Sequence, residues 1–303
     1  MDIIELYQDH SVDYVTEGHK HARKGWANTE CPWCTGDHIG YHLGFNLEKD
    51  YFFCWRCGWH PVVSTISKLL KIPQVEAIVL IRQYGLRIAR RVEEPTESEQ
   101  TKPFSLPTGV VPLLPYHEQY LKGRGFDPEM LKQIWGISST GPISKLDQYD
   151  YKNRILIPYH WNGTPVTFDT RVPLKLASHE KRYKACPLDR EKFPRKDIVY
   201  GRQEEWRETG ICVEGPTDVW RFGTNSFATS GIMFTPKQVR LIANIFKRVA
   251  VCFDNEPQAA AQAKALVAEL KFRGVDSFIV HITGDPGSMS QDNADYIVKQ
   301  IMK

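Results

Sequence analysis

A chain of 303 residues is long enough for two or three domains, and 42% hydrophobic with 12% aromatic residues is ordinary globular composition. The formal net charge of +3 is close to neutral, so any nucleic-acid surface must be local. No apolar run reaches the roughly eighteen residues of a membrane span, and the acidic start "MDIIELYQDHSVDYV" lacks the basic-then-apolar order of a secretory leader.

The first chemically informative segment is cysteine-rich. Seven cysteines are present, and four form two CxxC pairs, Cys31 with Cys34 ("CPWC") and Cys54 with Cys57 ("CWRC"). With no leader for export, metal binding is expected over disulfides, and the expected compartment is the cytoplasm. Nineteen residues separate the pairs, a spacing that suits a four-thiolate Zn²⁺ site, because each CxxC turn aims two sulfurs at one point of a tetrahedron. Between them "GYHLGFNL" and "YFFCW" read as strands joined at "EKD". The expectation is a zinc ribbon on a small antiparallel sheet, with His38, His42 and His60 close enough in sequence to replace a ligand. The surrounding aromatics supply core bulk for a small module, and Trp55 or Trp59 is the candidate for stacking on a base.

The zinc-binding unit is placed at 1–92. Residues 93–108, "EEPTESEQTKPFSLPT", hold four glutamates and three prolines and read as a flexible linker. A basic, mixed α+β subdomain is expected over 109–208 and a strand–helix alternating one over 209–303. Within 171–202 stand ten Lys/Arg against four acids, with Tyr183, Phe193 and Tyr200 interleaved. Such a run is either a solvated face or a surface that tracks a nucleic-acid backbone while stacking its bases.

In the last third, three apolar runs end on acids. "GICVEGPTD" leads to Glu214 and Asp218, "RVAVCFDNEP" to Asp254 and Glu256, and "SFIVHITGDPGS" to Asp285. Pro257 suits the first turn of a helix that ends near Gly274, and "FTPKQVRLIANIF" starts another, with Thr235 as cap. Alternating strands and helices predict a parallel sheet, whose ligand sites lie at the carboxyl ends of the strands. Carboxylates converging there would repel each other unless cations sit among them, and Mg²⁺ takes such oxygen donors. Asp218 is either a ligand or a favourable charge in a helix's first turn. Asp285 is either a ligand or a turn residue before Pro286.

These residues resemble a TOPRIM domain, with "VEGPTD" in the place of its Glu motif and "FDNE" in the place of its Asp-x-Asp. With the zinc ribbon, "YLKGRGFDPEMLKQIWGI" (120–137), "RILIPYHWNGTPVTFDTRV" (154–172) and "KRYKACPLDREKFPRKDIVYG" (181–201), the chain is similar in motif order to DnaG-type DNA primases of bacteria and phages from about residue 25 onward. It departs at Cys34, where bacterial members usually have His, at Asn255 and Glu256 in place of Gly-Asp, and at Ala185-Cys186-Pro187 in place of "NSP". The chain ends just after the TOPRIM strands, where bacterial members continue into a helicase-binding domain. A phage or mobile-element primase, or a truncated one, is the expectation.

The resemblance implies a DNA-directed RNA polymerase that makes short RNA primers on single-stranded DNA from ribonucleoside triphosphates, with a replicative helicase as partner. It implies Mg²⁺ (or Mn²⁺) held by Asp254, Glu256 and Asp285, and Glu214 as metal ligand or proton-transfer group. It implies Arg154, Arg171, Arg182 and Lys184 as contacts for template or triphosphate, and a zinc ribbon that reads the template start. Two alternatives stay open: a TOPRIM nuclease or topoisomerase-like enzyme, and a non-catalytic zinc-ribbon protein that binds single strands.

Overall fold

The computed structural model describes residues 1–34, 40–84, 102–173, 182–282 and 284–303. His38 and residues 93–101 of the expected linker lie outside them.

The cysteine-rich segment forms an antiparallel sheet in the order β1 (Tyr14–Val15), β2 (Trp26–Thr29), β3 (Leu43–Asn46), β4 (Tyr51–Cys54), β5 (Gly58–His60). Register pairs Phe45 with Phe52, so alternation sends both inward. Their rings join Ile3, Leu6 and Tyr7 of α1 (Ile3–Asp9) and Val62, Val63 and Ile66 of α2 (Val62–Leu70) in one core. The Asp2 carboxylate caps α1 by accepting from the Glu5 amide at 3.0 Å. A third helix, α3 (Gln74–Gln83), packs beside α2.

Residues 102–108, the end of the expected linker, run along the next unit. The Lys102 amide donates to Asp189 O at 3.3 Å and the Thr108 amide to Lys145 O at 2.9 Å. This unit has two short helices, α4 (Pro115–Gly123) and α5 (Pro128–Trp135). Asp127 caps α5, Pro128 opens it, and Gly136 closes it at φ 65°. Its sheet runs β12 (Tyr183–Ala185), β11 (Thr164–Arg171), β10 (Ile155–Trp161), β7 (Ser138–Thr140), β6 (Val110–Val111), with a small hairpin, β8 (Lys145–Leu146) and β9 (Tyr149–Asp150), alongside. Asn162 and Gly163, at φ 48° and 73°, make the tight turn between β10 and β11.

The last sheet has the order β13 (Tyr200–Gly201), β15 (Ser226–Ala228), β14 (Thr209–Val213), β16 (Arg248–Val251), β17 (Asp276–Ile279). Strands β14 to β17 are parallel, and β13 joins antiparallel from the preceding unit. Helices α6 (Pro216–Phe222), α7 (Pro236–Ile245), α8 (Pro257–Phe272) and α9 (Gln291–Ile301) complete it. Thr235 and Gln238 form a reciprocal capping box on α7. From β14 the chain steps to one side, to β15; from β16 it steps to the other, to β17. The order therefore reverses between β14 and β16, and that is where an open parallel sheet offers a crevice.

One apolar core runs from Leu113 through Ile155 and Ile211 to Ile301, so the middle and last units share an interior. The cysteine-rich module reaches the last unit too, since Ala268 and Phe272 of α8 belong to its core. Among the described residues no helix is long and apolar enough to cross a membrane.

Candidate active site and metal centre

At the switch point the backbone brings two of the expected acids together. Glu214 leaves β14 and Asp254 follows β16, and Oε1 of Glu214 accepts from the Asp254 amide at 2.9 Å. One turn on, Asp218 is buried in α6 and its Oδ2 accepts from the Gly215 amide at 2.9 Å. Asp285 follows β17 and caps a single 3₁₀ turn, with Oδ1 accepting from the Gly287 amide at 3.0 Å and Oδ2 from the Ser288 hydroxyl at 2.7 Å. Gly287 is required here by close approach: a Cβ on it would stand 2.7 Å from Asp218 Oδ1.

Glu214, Asp218, Asp254 and Asp285 line one cavity of about 960 Å³. Glu256 is exposed at the start of α8 and is not among its lining residues. Burial, with the charges of Asp254, Glu256 and Asp285 adding to it, pushes the Glu214 carboxyl up to about 7. Burial also pushes Asp218 up to about 7. Asp254 is raised by burial and then by Asp285 and Glu256. Acids crowded in this way hold protons unless a cation replaces them.

The cavity lining is also basic. Arg124, Arg171, Arg182 and Arg195 belong to it, with Tyr120 and Tyr183. Arg171 is buried, its Nε donating to Tyr120 Oη at 2.9 Å and its Nη1 to Tyr183 Oη, and it lies over both rings. Arg182 is exposed at the rim. Two expected contacts stand elsewhere. Arg154 is buried, with Nη1 donating to Arg182 O at 3.4 Å, and Lys184 Nζ donates to Asp150 O at 2.9 Å; neither lines the cavity. Sequence reading missed Arg124, whose Nη2 donates to Gly287 O at 3.2 Å and lies 3.8 Å from Asp285. It also missed Arg195 and Asp169. The motif "YLKGRG" contained Arg124, but nothing in it distinguished that arginine from a surface one.

Donor chemistry decides which metals fit. The carboxylate edge offers only oxygen donors, the type that Mg²⁺ takes, though no three of them lie within 4.8 Å of one another. Among the described residues, the one group of three or more candidate ligands within 4.8 Å of one another is Cys31, Cys34, Cys54 and Cys57. Its sulfurs approach to 3.5 Å (31 to 57), 3.6 Å (34 to 54) and 3.5 Å (34 to 57). A tetrahedron with Zn–S near 2.3 Å sets sulfurs about 3.8 Å apart, so the cluster fits a structural Zn²⁺. Burial pushes Cys31 up to about 11, and burial with the other thiols pushes Cys57 further. Against burial, the Cys57 and Arg56 amides hold Cys54 down. His60 stacks flat on Trp33 and its Nε2 lies 3.0 Å from Cys57 Sγ, beside the ligands rather than among them. Trp59 packs edge-on against Phe234 of the last unit, while Trp55 is 38% exposed under Arg23.

Solved structures share this fold. The zinc-binding and RNA polymerase domains of the Aquifex aeolicus primase match with a TM-score of 0.51 and 16% identity, over 99% of this chain and 83% of that one. A DnaG catalytic core matches with a TM-score of 0.51 and 19% identity, over 63% and 74% of the two chains. A DnaG primase catalytic domain bound to single-stranded DNA matches at 0.50 and 18%, over 62% and 72%. No protein-family model matches the chain, and no curated protein matches it in sequence. The fold is that of a primase zinc-binding domain followed by a primase RNA polymerase domain, as the motif order implied.

Proposed function

We propose that this protein is a DNA primase, a nucleotidyltransferase that builds short RNA primers de novo on single-stranded DNA. The observation that carries the reading is a single cavity lined both by four carboxylates, three just after strands and one on α6, and by four arginines. Such a pairing suits a substrate that is both polyanionic and metal-bound, as a nucleoside triphosphate is.

Within that reading each residue has a task. Glu214, Asp218, Asp254 and Asp285 would hold Mg²⁺ or Mn²⁺, with Glu256 at the rim. When bound, the metal supplies charge stabilisation for attack of a 3′-hydroxyl on the α-phosphate and for departure of pyrophosphate. Alternatively Glu214, whose Oε1 is held by the Asp254 amide, would act in proton transfer rather than as a ligand. Arg182 and Arg124 offer N–H donors to phosphate oxygens. The Zn²⁺-bound ribbon, with Trp55 exposed on its surface, would take the template. The reading places the protein in the cytoplasm of a bacterial or phage-infected cell, working with a replicative helicase.

The test is synthesis from scratch. Single-stranded DNA of mixed sequence, labelled ribonucleotides and Mg²⁺ should yield short labelled oligonucleotides on a denaturing gel, and Asp254→Ala should remove them. Shortening of the template instead of new product would replace primase with nuclease. Binding of single strands with neither product, with Mn²⁺ and helicase supplied, would leave a non-catalytic binder.

A further inference from the structure

Beside the four sulfurs of the cysteine-rich module stands a further donor atom with no role assigned to it. His60 ends β5, where its backbone pairs with Phe52 of β4, and it is 9% exposed. Its Nε2 lies 3.0 Å from Cys57 Sγ and 3.9 Å from Cys31 Sγ. Those two sulfurs are 3.5 Å apart, so the imidazole nitrogen stands over one edge of the cluster. The ring lies flat on the Trp33 indole, with 4.0 Å between centroids and 2° between planes. Trp33 itself belongs to the first CxxC turn, between Cys31 and Cys34, and Lys68 Nζ of α2 lies 5.5 Å from the centre of the same indole. The stack fixes the plane of the imidazole and leaves it free to slide within that plane.

Packing alone does not account for this ring. A phenylalanine would stack on Trp33 as well and would bury no nitrogen. Imidazole is an ordinary zinc donor, and three sulfurs with one imidazole make as regular a structural site as four sulfurs. On one tetrahedral zinc, a nitrogen near 2.0–2.1 Å and a sulfur near 2.3 Å from the metal stand about 3.6 Å apart. The separations of 3.0 and 3.9 Å bracket that value. The sulfurs also differ from one another. Cys31 and Cys54 are buried in the module's core, Cys34 is partly exposed and Cys57 is exposed. Cys54 Sγ further accepts from the Arg56 amide at 3.4 Å. Cys57 is therefore the ligand least enclosed by the fold, and it is the one His60 approaches most closely.

We infer that His60 is a reserve ligand of the zinc centre, taking the corner of Cys57 when that sulfur leaves. The centre then has two coordination states, four sulfurs or three sulfurs and one imidazole. This rests on Zn²⁺ at the four thiols and not on the nucleotide-polymerising reading. In the four-sulfur state Cys57 carries no proton, so Nε2 donates the hydrogen bond between them. The exchange balances within the pair: a metal–sulfur bond breaks, a metal–nitrogen bond forms, and the proton of Nε2 passes to the departing sulfur. The small module keeps the metal, and with it the folding free energy that the metal supplies, while an exposed thiol is released.

Metal content and the absorption of the Co²⁺-substituted full chain test this. Neither readout involves primer synthesis, so the primase reading stands whichever way they fall. Cys57→Ala and Cys57→Ser should each retain the metal. Their cobalt spectra should lose one thiolate's share of the sulfur-to-metal charge-transfer absorption, and their ligand-field bands should move to shorter wavelength. The double variant Cys57→Ala/His60→Phe keeps a ring on Trp33 but removes the nitrogen, and it should lose the metal. His60→Phe alone should keep it, with a four-sulfur spectrum. Cys54→Ser should lose it although His60 is present, since the imidazole stands at the Cys31–Cys57 edge. Loss of metal from Cys57→Ala overturns the inference. Failure of that variant to fold in excess Zn²⁺ counts the same way, because the side chain removed is exposed. Metal retained by the double variant overturns it as well, since another donor then fills the corner.

Discussion

The amide of Val63, in the first turn of α2, donates to Glu269 Oε1 of α8 at 3.2 Å, across 206 residues of sequence. Glu269 is 1% exposed, and its Oε2 is paired with Arg273 at 2.8 Å. A side chain of the polymerase-like unit thus caps a helix of the zinc module, where Pro61 supplies no side-chain cap of its own. Glu269→Ala removes the cap, worth about 0.5–2 kcal/mol, and leaves a largely buried Arg273 without its partner. The expected result is a lower melting temperature and faster proteolytic release of the cysteine-rich module. Unchanged proteolysis would mean that the apolar contact with Ala268 and Phe272 suffices to dock it.

The carboxylate edge sets a pH dependence. Glu214 and Asp218 titrate near 7 in the folded protein, and in the unfolded chain they titrate in the ordinary carboxylate range, about 4. Between those values the native state binds more protons than the unfolded state, so the metal-free protein loses stability from this site as pH rises from about 4 to about 7. Melting curves in buffer free of Mg²⁺ and Mn²⁺ that leaves the zinc in place should fall across that window, and Glu214→Gln should flatten the fall. Divalent metal competes with the same protons, so stabilisation by Mg²⁺ or Mn²⁺ should be larger at pH 8 than at pH 6. Equal stabilisation at both would argue that these carboxyls are not the ligands.

The carboxylates were legible in the sequence because apolar runs that end on acids are a local pattern, and a strand–helix alternation fixes which edge they share. What placed Glu214 beside Asp254 is the reversal of strand order between β14 and β16, which no local pattern encodes. The arginines were harder. Arg154 and Arg171 flank strands of one hairpin and read alike, yet Arg154 is used to bind backbone and Arg171 is enclosed by two tyrosines. Asp169 lies in a stretch of β11 buried on both faces, so alternation gave it no direction. Trp55 and Trp59 are four residues apart, and only the docking of the module on Phe234 distinguishes them.

Close approach gives a sharper test of the site than charge removal does. Gly287 lets its backbone pass so near Asp218 that an added Cβ would also lie 3.2 Å from Thr217 Oγ1 and 3.4 Å from Arg124 Nη2. Gly287→Ala should therefore shift Asp218 and Arg124 together. Overpacking of this kind costs about 1–3 kcal/mol, so the protein should still fold, with primer synthesis and metal-dependent stabilisation reduced several-fold. Wild-type activity in this variant would remove Asp218 and Arg124 from the working site.

Thiol accessibility tests the metal centre without reference to activity. Cys34 is partly exposed and Cys57 exposed, while Cys186, Cys212 and Cys252 are buried in the other units. A module with so small a core depends on its metal for folding free energy. As purified, the chain should hold one zinc, and a native alkylating reagent should label few thiols, since metal-bound sulfur is protected. After chelation Cys34 and Cys57 should label first, Cys31 and Cys54 next as the module loosens, and the three buried cysteines of the other units last. Cys54→Ser should lose the zinc and behave like the chelated protein. A zinc-free chain whose four ligand thiols stay unreactive would mean that the sulfur cluster is held by packing alone, since three of its members already meet at 3.5–3.6 Å around Cys34.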